Sequence, residues 1–265
     1  MIPQLNITQW SNNVPWQTNE QVEQDLVISR ALVEIFNDDF LSAKLAFRGG
    51  TALHKLYVQP QPRYSEDIDL VQIAPAPFGD IVDRLREVLK FIDGKTNFHG
   101  GDPMSTLIYK FLSEIPPVNP LKLKVETNCR EHLIIKGWEK KKFSVNSDWY
   151  KGECEITTYK LEELLGTKLR ALYQRRKGRD LYDLYKVISE NEVDTDAVIH
   201  CFKEYINFST ANIPSQKDFI ENMDAKMKNP NFLGDITALL RQEERANYDQ
   251  EKAYVFIKEK LLQKI

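Results

Sequence analysis

Two short segments of the sequence combine residues that can hold phosphate with residues that can hold a divalent cation. The first contains Gly49-Gly50-Thr51, and the second contains Asp67 and Asp69 within an apolar run. Residues two apart in a β-strand point to the same face, so both carboxylates share one face. Two neighbouring negative charges favour a bound cation, and Mg²⁺, like the related Mn²⁺, suits carboxylate and phosphate oxygens. The pattern predicts a site for a metal ion and a phosphorylated ligand.

The segment around the glycines predicts a strand, a turn and a helix in succession. Residues 45–47 have the character of a short buried strand, Gly49-Gly50 of a tight turn, and residues 51–57 of the first turns of a helix. Free backbone N–H groups and a positive helix end would then lie where a triphosphate could bind. Taken alone, each half has an ordinary explanation, since an Asp-x-Asp pair can be a solvated surface pair and Gly-Gly a plain turn.

The combination of the two segments resembles a known signature. Phe47-Arg48-Gly49-Gly50-Thr51 followed by Ser65-Glu66-Asp67-Ile68-Asp69 is similar to the nucleotidyltransferase signature of the AbiEii/AbiGii toxin family, within the polymerase-beta-like nucleotidyltransferases. A second similarity begins at Lys168 and includes Arg179-Asp180-Leu181-Tyr182-Asp183. The two similarities cover roughly residues 40 to 190. Many relatives carry Gly-Ser and a shorter gap before the aspartates, whereas this chain has Thr51 and a proline-rich insert.

The resemblance implies both a fold and an activity. The expected fold is α/β (α+β), a polymerase-beta-like core with a mixed sheet over residues 1–156, followed by a helical domain over residues 157–265 that contributes triphosphate and acceptor contacts. The expected activity is Mg²⁺-dependent transfer of a nucleoside monophosphate from an NTP, with tRNA or another RNA as acceptor. The protein would be the toxin of a type IV toxin–antitoxin or abortive-infection system, functionally linked to a winged-helix antitoxin. A protein or small-molecule acceptor and a non-catalytic nucleotide-binding module are the alternatives.

The carboxylates of the expected metal site come from two strands. Asp67 and Asp69 are the predicted metal ligands and catalytic residues, and the resemblance implies a third carboxylate on a neighbouring strand. Glu126 follows Lys122 and Lys124 on the polar face of an alternating segment, which makes it the candidate. Glu155 competes for this role, and an ordinary exposed glutamate is the other interpretation of Glu126.

The predicted phosphate-binding residues come from both halves of the chain. They are Gly49, Gly50, Thr51, Ser65, Lys168, Arg175 and Arg179. Lys168 and Asp180 are also assigned to the catalytic group through the resemblance. Without it, Lys168 would be an exposed lysine beside an apolar stripe, and Asp180 and Asp183 would pair with nearby arginines or stabilise the start of a helix.

Composition limits the remaining possibilities. With 265 residues and three widely spaced cysteines, the chain predicts an ordinary globular protein without a disulfide framework or a zinc site. It lacks a basic leader with an apolar core and any apolar run of about 20 residues, so we expect a cytoplasmic protein with no membrane partner.

The net charge is −3, yet residues 121–180 hold 15 Lys and Arg against 9 Asp and Glu. This local excess could attract NTP or RNA, or the three lysines at 140–142 could be a solvated turn.

Hydrophobic periodicity predicts the elements that position these residues. Helices are expected over residues 18–38 and 78–92, and strands over residues 106–114 and 121–128. From Tyr159 the pattern changes to helices, at residues 160–177, 179–190, 195–208, 215–228 and 249–264.

Overall fold

A computed structural model describes residues 2–14 and 16–265 of the protein. The chain forms two compact units, the first comprising Met1–Ile134 with Trp138–Tyr159 and the second Ile135–Gly137 with Lys160–Ile265. The first unit contains a seven-stranded sheet and the second is helical. The predicted α/β fold class with helices in the second part of the chain is confirmed.

The sheet of the first unit is mixed, with strand order β3-β4-β5-β2-β1-β7-β6. β2 lies antiparallel to β1 and parallel to β5, while β7 lies parallel to β1 and antiparallel to β6. β4 is antiparallel to both β3 and β5. The strands are β1 (Leu45–Arg48), β2 (Asp67–Gln72), β3 (Lys95–His99), β4 (Met104–Leu112), β5 (Pro120–Asn128), β6 (Trp138–Asn146) and β7 (Lys151–Tyr159).

Among the described residues of the first unit, five helices accompany this sheet. They are α1 (Gln4–Trp10), α2 (Asn19–Phe36), α3 (Asp39–Ser42), α4 (Gly49–Leu56) and α5 (Gly79–Val88). The hydroxyl of Thr18 caps α2 by accepting a hydrogen bond from the Gln21 N–H. α2 contacts β5, β6, β7 and α5, and most of its side chains are buried. In β5 the alternate residues Leu123 and Val125 are buried, and in β2 Ile68 and Leu70 are buried, whereas the polar side chains between them are partly exposed on the other face.

A buried ion pair ties α4 to α2. The ammonium of Lys55 lies 3.0 Å from Oδ2 of Asp25 and also donates to the hydroxyl of Ser29, at 3.0 Å. The indole N–H of Trp10 donates to the other carboxylate oxygen of Asp25 at 3.1 Å. Both charged side chains are almost completely buried. This pair fixes α4, the helix that follows the glycine turn, against the largest helix of the unit.

The second unit consists of helices and one 3₁₀ turn. They are α6 (Leu161–Gln174), α7 (Gly178–Glu190), α8 (Thr195–Thr210), α9 (Gln216–Lys226), α10 (Pro230–Gly234), α11 (Gln242–Asn247), α12 (Gln250–Lys260) and the turn Leu262–Lys264. α6 and α8 pack closely at Gly166, where a Cβ would lie 2.6 Å from Cβ of Cys201. Glu163 accepts from the N–H groups of Ile135 and Lys136, which attaches that segment to this unit.

The structure corrects several expectations about individual elements. β3, β6, β7 and α1 were not predicted, and the helix expected over residues 78–92 is shorter, at Gly79–Val88. Residues 140–142 lie within β6, so the interpretation of these lysines as a turn is wrong. β6 alternates poorly in sequence because its less exposed face carries Glu139 and Lys141 as well as Phe143 and Val145. Within the described residues, no helix is long and apolar enough to cross a bilayer.

We expect Lys55→Met to destabilise the protein by about 3–5 kcal/mol, because it leaves the buried Asp25 carboxylate without its cation. Urea unfolding at neutral pH measures this change. The double variant Asp25→Asn/Lys55→Met removes both charges and should recover most of the loss. A single variant as stable as the wild type would show that the pair does not hold α4.

Candidate active site

The turn after β1 has a conformation that requires glycine. Gly49 has φ of +79°, and a Cβ at this position would lie 2.1 Å from Oδ2 of Asp69. The backbone of the turn therefore approaches the carboxylate more closely than any residue with a side chain would allow. α4 begins at Gly49, so its first N–H groups, which lack intrahelical partners, start beside Asp69.

The two aspartates lie on one face of β2, as the alternation predicts. Asp69 is directly opposite Arg48 on β1 and Glu126 on β5, while Asp67 is opposite Lys124. Residues directly opposite each other share a face of the sheet, so these side chains form one polar surface. The sheet register brings Glu126 to the strand next to both aspartates, as expected.

Glu155 occupies a different part of the sheet. It lies on β7, two strands from β2, and its carboxylate is 3.8 Å from the ammonium of Lys140. Its side chain is largely exposed. The register therefore favours Glu126 as the third carboxylate, although Glu126 also lies 4.0 Å from the ammonium of Lys124.

Carboxylate crowding changes the acidity of Asp67. Burial raises the pKa of Asp67 to about 6, with further contributions from the negative charges of Asp69, Glu66 and Glu126. Lys124 acts in the opposite direction without cancelling them. A carboxylate that ionises reluctantly beside other carboxylates is stabilised by a cation. The donors are oxygens, which suits a hard divalent ion.

The protein supplies only part of a coordination shell. Within residues 2–14 and 16–265, no three His, Cys, Asp or Glu side chains converge closely enough to hold a metal ion by themselves. Asp67 and Asp69 fit a site in which the phosphates of a bound nucleotide provide further oxygens. The assignment of Glu126 as a third ligand stays a prediction.

Thr51 and Ser65 form a hydroxyl bridge beneath the site. The Thr51 hydroxyl donates to the backbone carbonyl of Asp67 at 2.5 Å and lies 2.8 Å from the Ser65 hydroxyl. Thr51 is almost completely buried. These contacts join the start of α4 to the start of β2, across the proline-rich insert. They give Thr51 a positioning role, and its predicted contact with phosphate stays a prediction.

Arg48 is a site residue that the sequence reasoning missed. It stands opposite Asp69 on the polar face, and its guanidinium lies 3.3 Å from a carboxylate oxygen of Glu131. The same group lies over the Tyr159 ring, 5.8 Å from its centroid. Strand alternation from a buried Phe47 could have placed Arg48 on the polar face, because consecutive strand residues point to opposite faces.

The second unit gathers its predicted residues into a buried ion cluster. The ammonium of Lys168 lies 3.1 Å from Asp180 and 3.0 Å from Asp183, and both aspartates are fully buried. Arg175 donates two hydrogen bonds to the Asp180 carboxylate, at 2.7 and 2.8 Å. Burial would raise the pKa of Asp180, but Lys168 and Arg175 outweigh it and lower the pKa.

The structure tests several predictions about residues 168–183. Lys168 is not an exposed surface lysine, since its side chain is 7% exposed. Asp180 pairs with Arg175, as the alternative interpretation held, and Asp183 lies against the ammonium of Lys168. Arg179 lies 3.7 Å from Asp235, which also pairs with Lys177. The assignment of Lys168, Arg175 and Arg179 to phosphate and of Asp180 to catalysis stays a prediction.

The fold is that of known nucleotidyltransferase toxins. MenT4, a nucleotidyltransferase toxin from Mycobacterium tuberculosis H37Rv, is similar in structure with a TM-score of 0.64 and 15% identity, covering 100% of this chain and 91% of that one. An antigenic nucleotidyltransferase-like protein from Paracoccidioides brasiliensis has a TM-score of 0.41 and 17% identity, covering 82% and 94% of the two chains. At that score the second similarity carries no argument.

The family follows from the sequence match. Residues 30–256 match the family described as nucleotidyl transferase AbiEii toxin of type IV toxin–antitoxin systems. The chain belongs to this family and is a nucleotidyltransferase toxin, as the resemblance implied. No curated protein matches the chain.

The pKa of Asp67 predicts how stability depends on pH. Because folding raises this pKa to about 6, ionisation of Asp67 opposes folding above that pH, whereas below about pH 4 it is protonated in both states. We expect Asp67→Asn to raise the Tm of the metal-free protein at pH 8 by at least about 3 °C. Thermal unfolding in EDTA between pH 4 and pH 8 should show this gain shrinking as the pH falls.

The exposed Asp148→Asn is the matched control, since it removes the same charge without disturbing the site. Its Tm should follow that of the wild type at every pH. If Asp67→Asn lowered the Tm at pH 8, Asp67 would not carry the electrostatic cost inferred here.

Proposed function

We propose that the protein transfers a nucleoside monophosphate from an NTP to a hydroxyl of an RNA acceptor, with tRNA as the acceptor class, in a reaction that requires Mg²⁺. The observation that carries this proposal is the contact between the Gly49 turn and Asp69, with Asp67 on the same strand face. It places backbone N–H groups suited to phosphate beside carboxylates suited to a divalent ion. The family membership supports the reaction class.

Different residues would bind the phosphates and the metal ion. The turn at Gly49 and Gly50 would bind the β- and γ-phosphates through backbone N–H groups, while Asp67 and Asp69 would hold the metal. The bound Mg²⁺ would supply neutralisation of the phosphate charge that develops during transfer. Glu126, opposite Asp69 on the neighbouring strand, would orient the acceptor hydroxyl and take up its proton.

The bond changes balance without a further reactant. The acceptor oxygen forms a bond to the α-phosphorus of the NTP, and the bond from that phosphorus to the oxygen bridging to the β-phosphate breaks. Pyrophosphate leaves, and the acceptor proton goes to Glu126 or to solvent. The chain's residues mainly fix the geometry of an in-line displacement.

We also propose a phosphate-binding role for the ion cluster of the second unit. Lys168 and Arg175 carry the cationic groups, and Asp180 and Asp183 hold Lys168 in one position. Arg179 would contribute a further cationic contact. A winged-helix antitoxin, the partner that membership of a type IV toxin–antitoxin family supports, would neutralise the toxin in the cell.

Incubating the protein with each of the four α-³²P-labelled NTPs, Mg²⁺ and total cellular RNA tests the proposed reaction. We expect label in an RNase-sensitive product, with tRNA the principal acceptor. Asp69→Asn and Gly49→Ala should each reduce transfer at least about a hundredfold, since one removes a metal ligand and the other drives a Cβ into Asp69. Gly79→Ala is the matched control, because a Cβ added at Gly79 would meet no atom within 4 Å.

The alternative acceptors give different results in the same assay. Label that survives RNase in a protein band would reject the RNA assignment in favour of a protein hydroxyl. Binding of NTP and Mg²⁺ in calorimetry without pyrophosphate release would indicate a non-catalytic nucleotide-binding module. Absence of label transfer with any NTP and any acceptor fraction would falsify the proposed activity.

We expect Lys168→Met to destabilise the protein by about 3–5 kcal/mol, because it leaves two buried carboxylates without their shared cation. Lys168→Met/Asp183→Asn removes one charge of each sign and leaves Arg175 on Asp180, so its urea unfolding should approach that of the wild type. Lys168→Met should also abolish nucleotide transfer, and the double variant should not recover it. If transfer returned together with stability, Lys168 would have a structural role only.

A further inference from the structure

Three lysines lie side by side on the sheet face that carries the carboxylate pair. Lys95 on β3 is directly opposite Lys110 on β4, and Lys110 is directly opposite Lys122 on β5. We call these three residues the lysine strip. Lys122 is two residues from Lys124, which is opposite Asp67, so the lysine strip and the aspartates share one face of the sheet.

The lysine strip is exposed, and no ion pair neutralises its charges within the described residues. All three residues are exposed, and in the part of the chain that the structure describes none of them forms an ion pair. Like charges directly opposite each other on neighbouring strands are destabilising. The chain as a whole carries a net charge of −3, so the strip is a local cationic feature of an acidic protein.

Protection of the sheet edge does not account for all three residues. Lysine on an edge strand discourages pairing with other chains, and Lys95 lies on the edge strand β3. Lys110 and Lys122 lie on the interior strands β4 and β5, where neighbouring strands already pair with both edges. A polyanionic ligand that spans the three strands would offset the repulsion.

The sheet order separates this surface from the expected triphosphate site. β2, which carries Asp67 and Asp69, lies between β5 on one side and β1 on the other, and the Gly49 turn follows β1. The triphosphate would therefore bind on the β1 side of the carboxylates, and the lysine strip lies on the β5 side. An acceptor approaching from the strip would meet the α-phosphate from the side opposite the turn.

Dimensions of the lysine strip suit an extended phosphate backbone. Neighbouring strands are about 4.8 Å apart, so the lysine strip spans about 10 Å across the sheet. The rise along a strand is about 3.3 Å per residue, so the strip begins about 7 Å along β5 from the row that contains Asp67. Asp93 and Glu114 line a pocket of about 480 Å³ that also includes Lys95 and Lys110. Because Lys95 and Lys110 themselves line this pocket, the two acidic residues moderate the positive potential at that end of the strip.

We propose that the lysine strip binds the phosphodiester backbone of the RNA acceptor and directs its reactive hydroxyl to the carboxylate pair. This inference rests on the proposed function, because it assigns the acceptor-binding surface of the same site. Lysine contacts with phosphate release counterions, so each contact contributes to the salt dependence of binding without reading the base sequence.

The test uses the full-length variant Lys95→Gln/Lys110→Gln/Lys122→Gln and fluorescently labelled bulk tRNA. Anisotropy titrations across a range of KCl concentrations, without NTP, measure affinity and its salt slope. We expect at least about tenfold weaker binding at low salt and a slope of log K against log salt that is smaller by about 2–3. The KM for tRNA in the transfer assay should rise, while the KM for NTP should stay unchanged.

The matched control is Lys217→Gln/Lys228→Gln/Lys252→Gln, which removes the same charge from exposed lysines elsewhere. Circular dichroism confirms that both triple variants fold. The control should bind tRNA within about twofold of the wild type and keep its salt slope. Equal losses in both variants, or none in the strip variant, would overturn the assignment of the lysine strip.

The two proposals fail in distinguishable ways. If the wild type transfers label to tRNA and the strip variant does so equally well at limiting tRNA, the proposed function stands and the lysine strip inference fails. If the wild type binds tRNA through the strip but transfers no label, the strip is an RNA-binding surface, whereas the proposed function and the delivery of an acceptor hydroxyl to the carboxylates fail. A wild type that does not bind tRNA overturns the strip inference.

Discussion

The mutual repulsion of carboxylates on one strand face is the constraint on which the site depends. Asp67 and Asp69 share this face and Glu126 lies beside them on β5, and burial, reinforced by the neighbouring negative charges, raises the pKa of Asp67 to about 6. A fold gains nothing from such an arrangement unless a cation occupies it. The close approach of the Gly49 turn to Asp69 adds a second requirement, because it starts helix α4 beside the same carboxylate.

The rest of the first unit holds this unfavourable arrangement in position. The buried pair between Lys55 and Asp25 fixes α4, and the hydroxyls of Thr51 and Ser65 connect the start of that helix to β2. These contacts lie beneath the polar face, so the backbone is fixed before any ligand binds. The cluster around Lys168 follows the same principle, since buried carboxylates hold a lysine in place. In both units, buried ion pairs contribute little net free energy to folding, but they fix the positions of the side chains and helices they join.

Sequence periodicity predicted β2 and β5, but it missed the interior strand β7 as well as the edge strands β3 and β6. Spacing predicted the shared face of Asp67 and Asp69 and placed Glu126 on the polar face of β5, while the resemblance implied that its strand would neighbour β2. β3 and β6 lie at the two edges of the sheet and lack a clear alternation. The pairing of Lys95, Lys110 and Lys122 depends on register between distant segments, and the partners of Thr51 and Arg48 depend on tertiary packing. Local pattern contains neither kind of information.

Titration of the Asp67 carboxyl carbon by ¹³C NMR tests the central claim most directly. In the metal-free protein we expect an apparent pKa of about 6, assigned by comparison with Asp67→Asn. Addition of Mg²⁺ with a non-hydrolysable NTP analogue should lower this pKa below the ordinary aspartate value, because the cation stabilises the ionised form. An ordinary pKa near 4 that does not respond to metal and nucleotide would contradict the account.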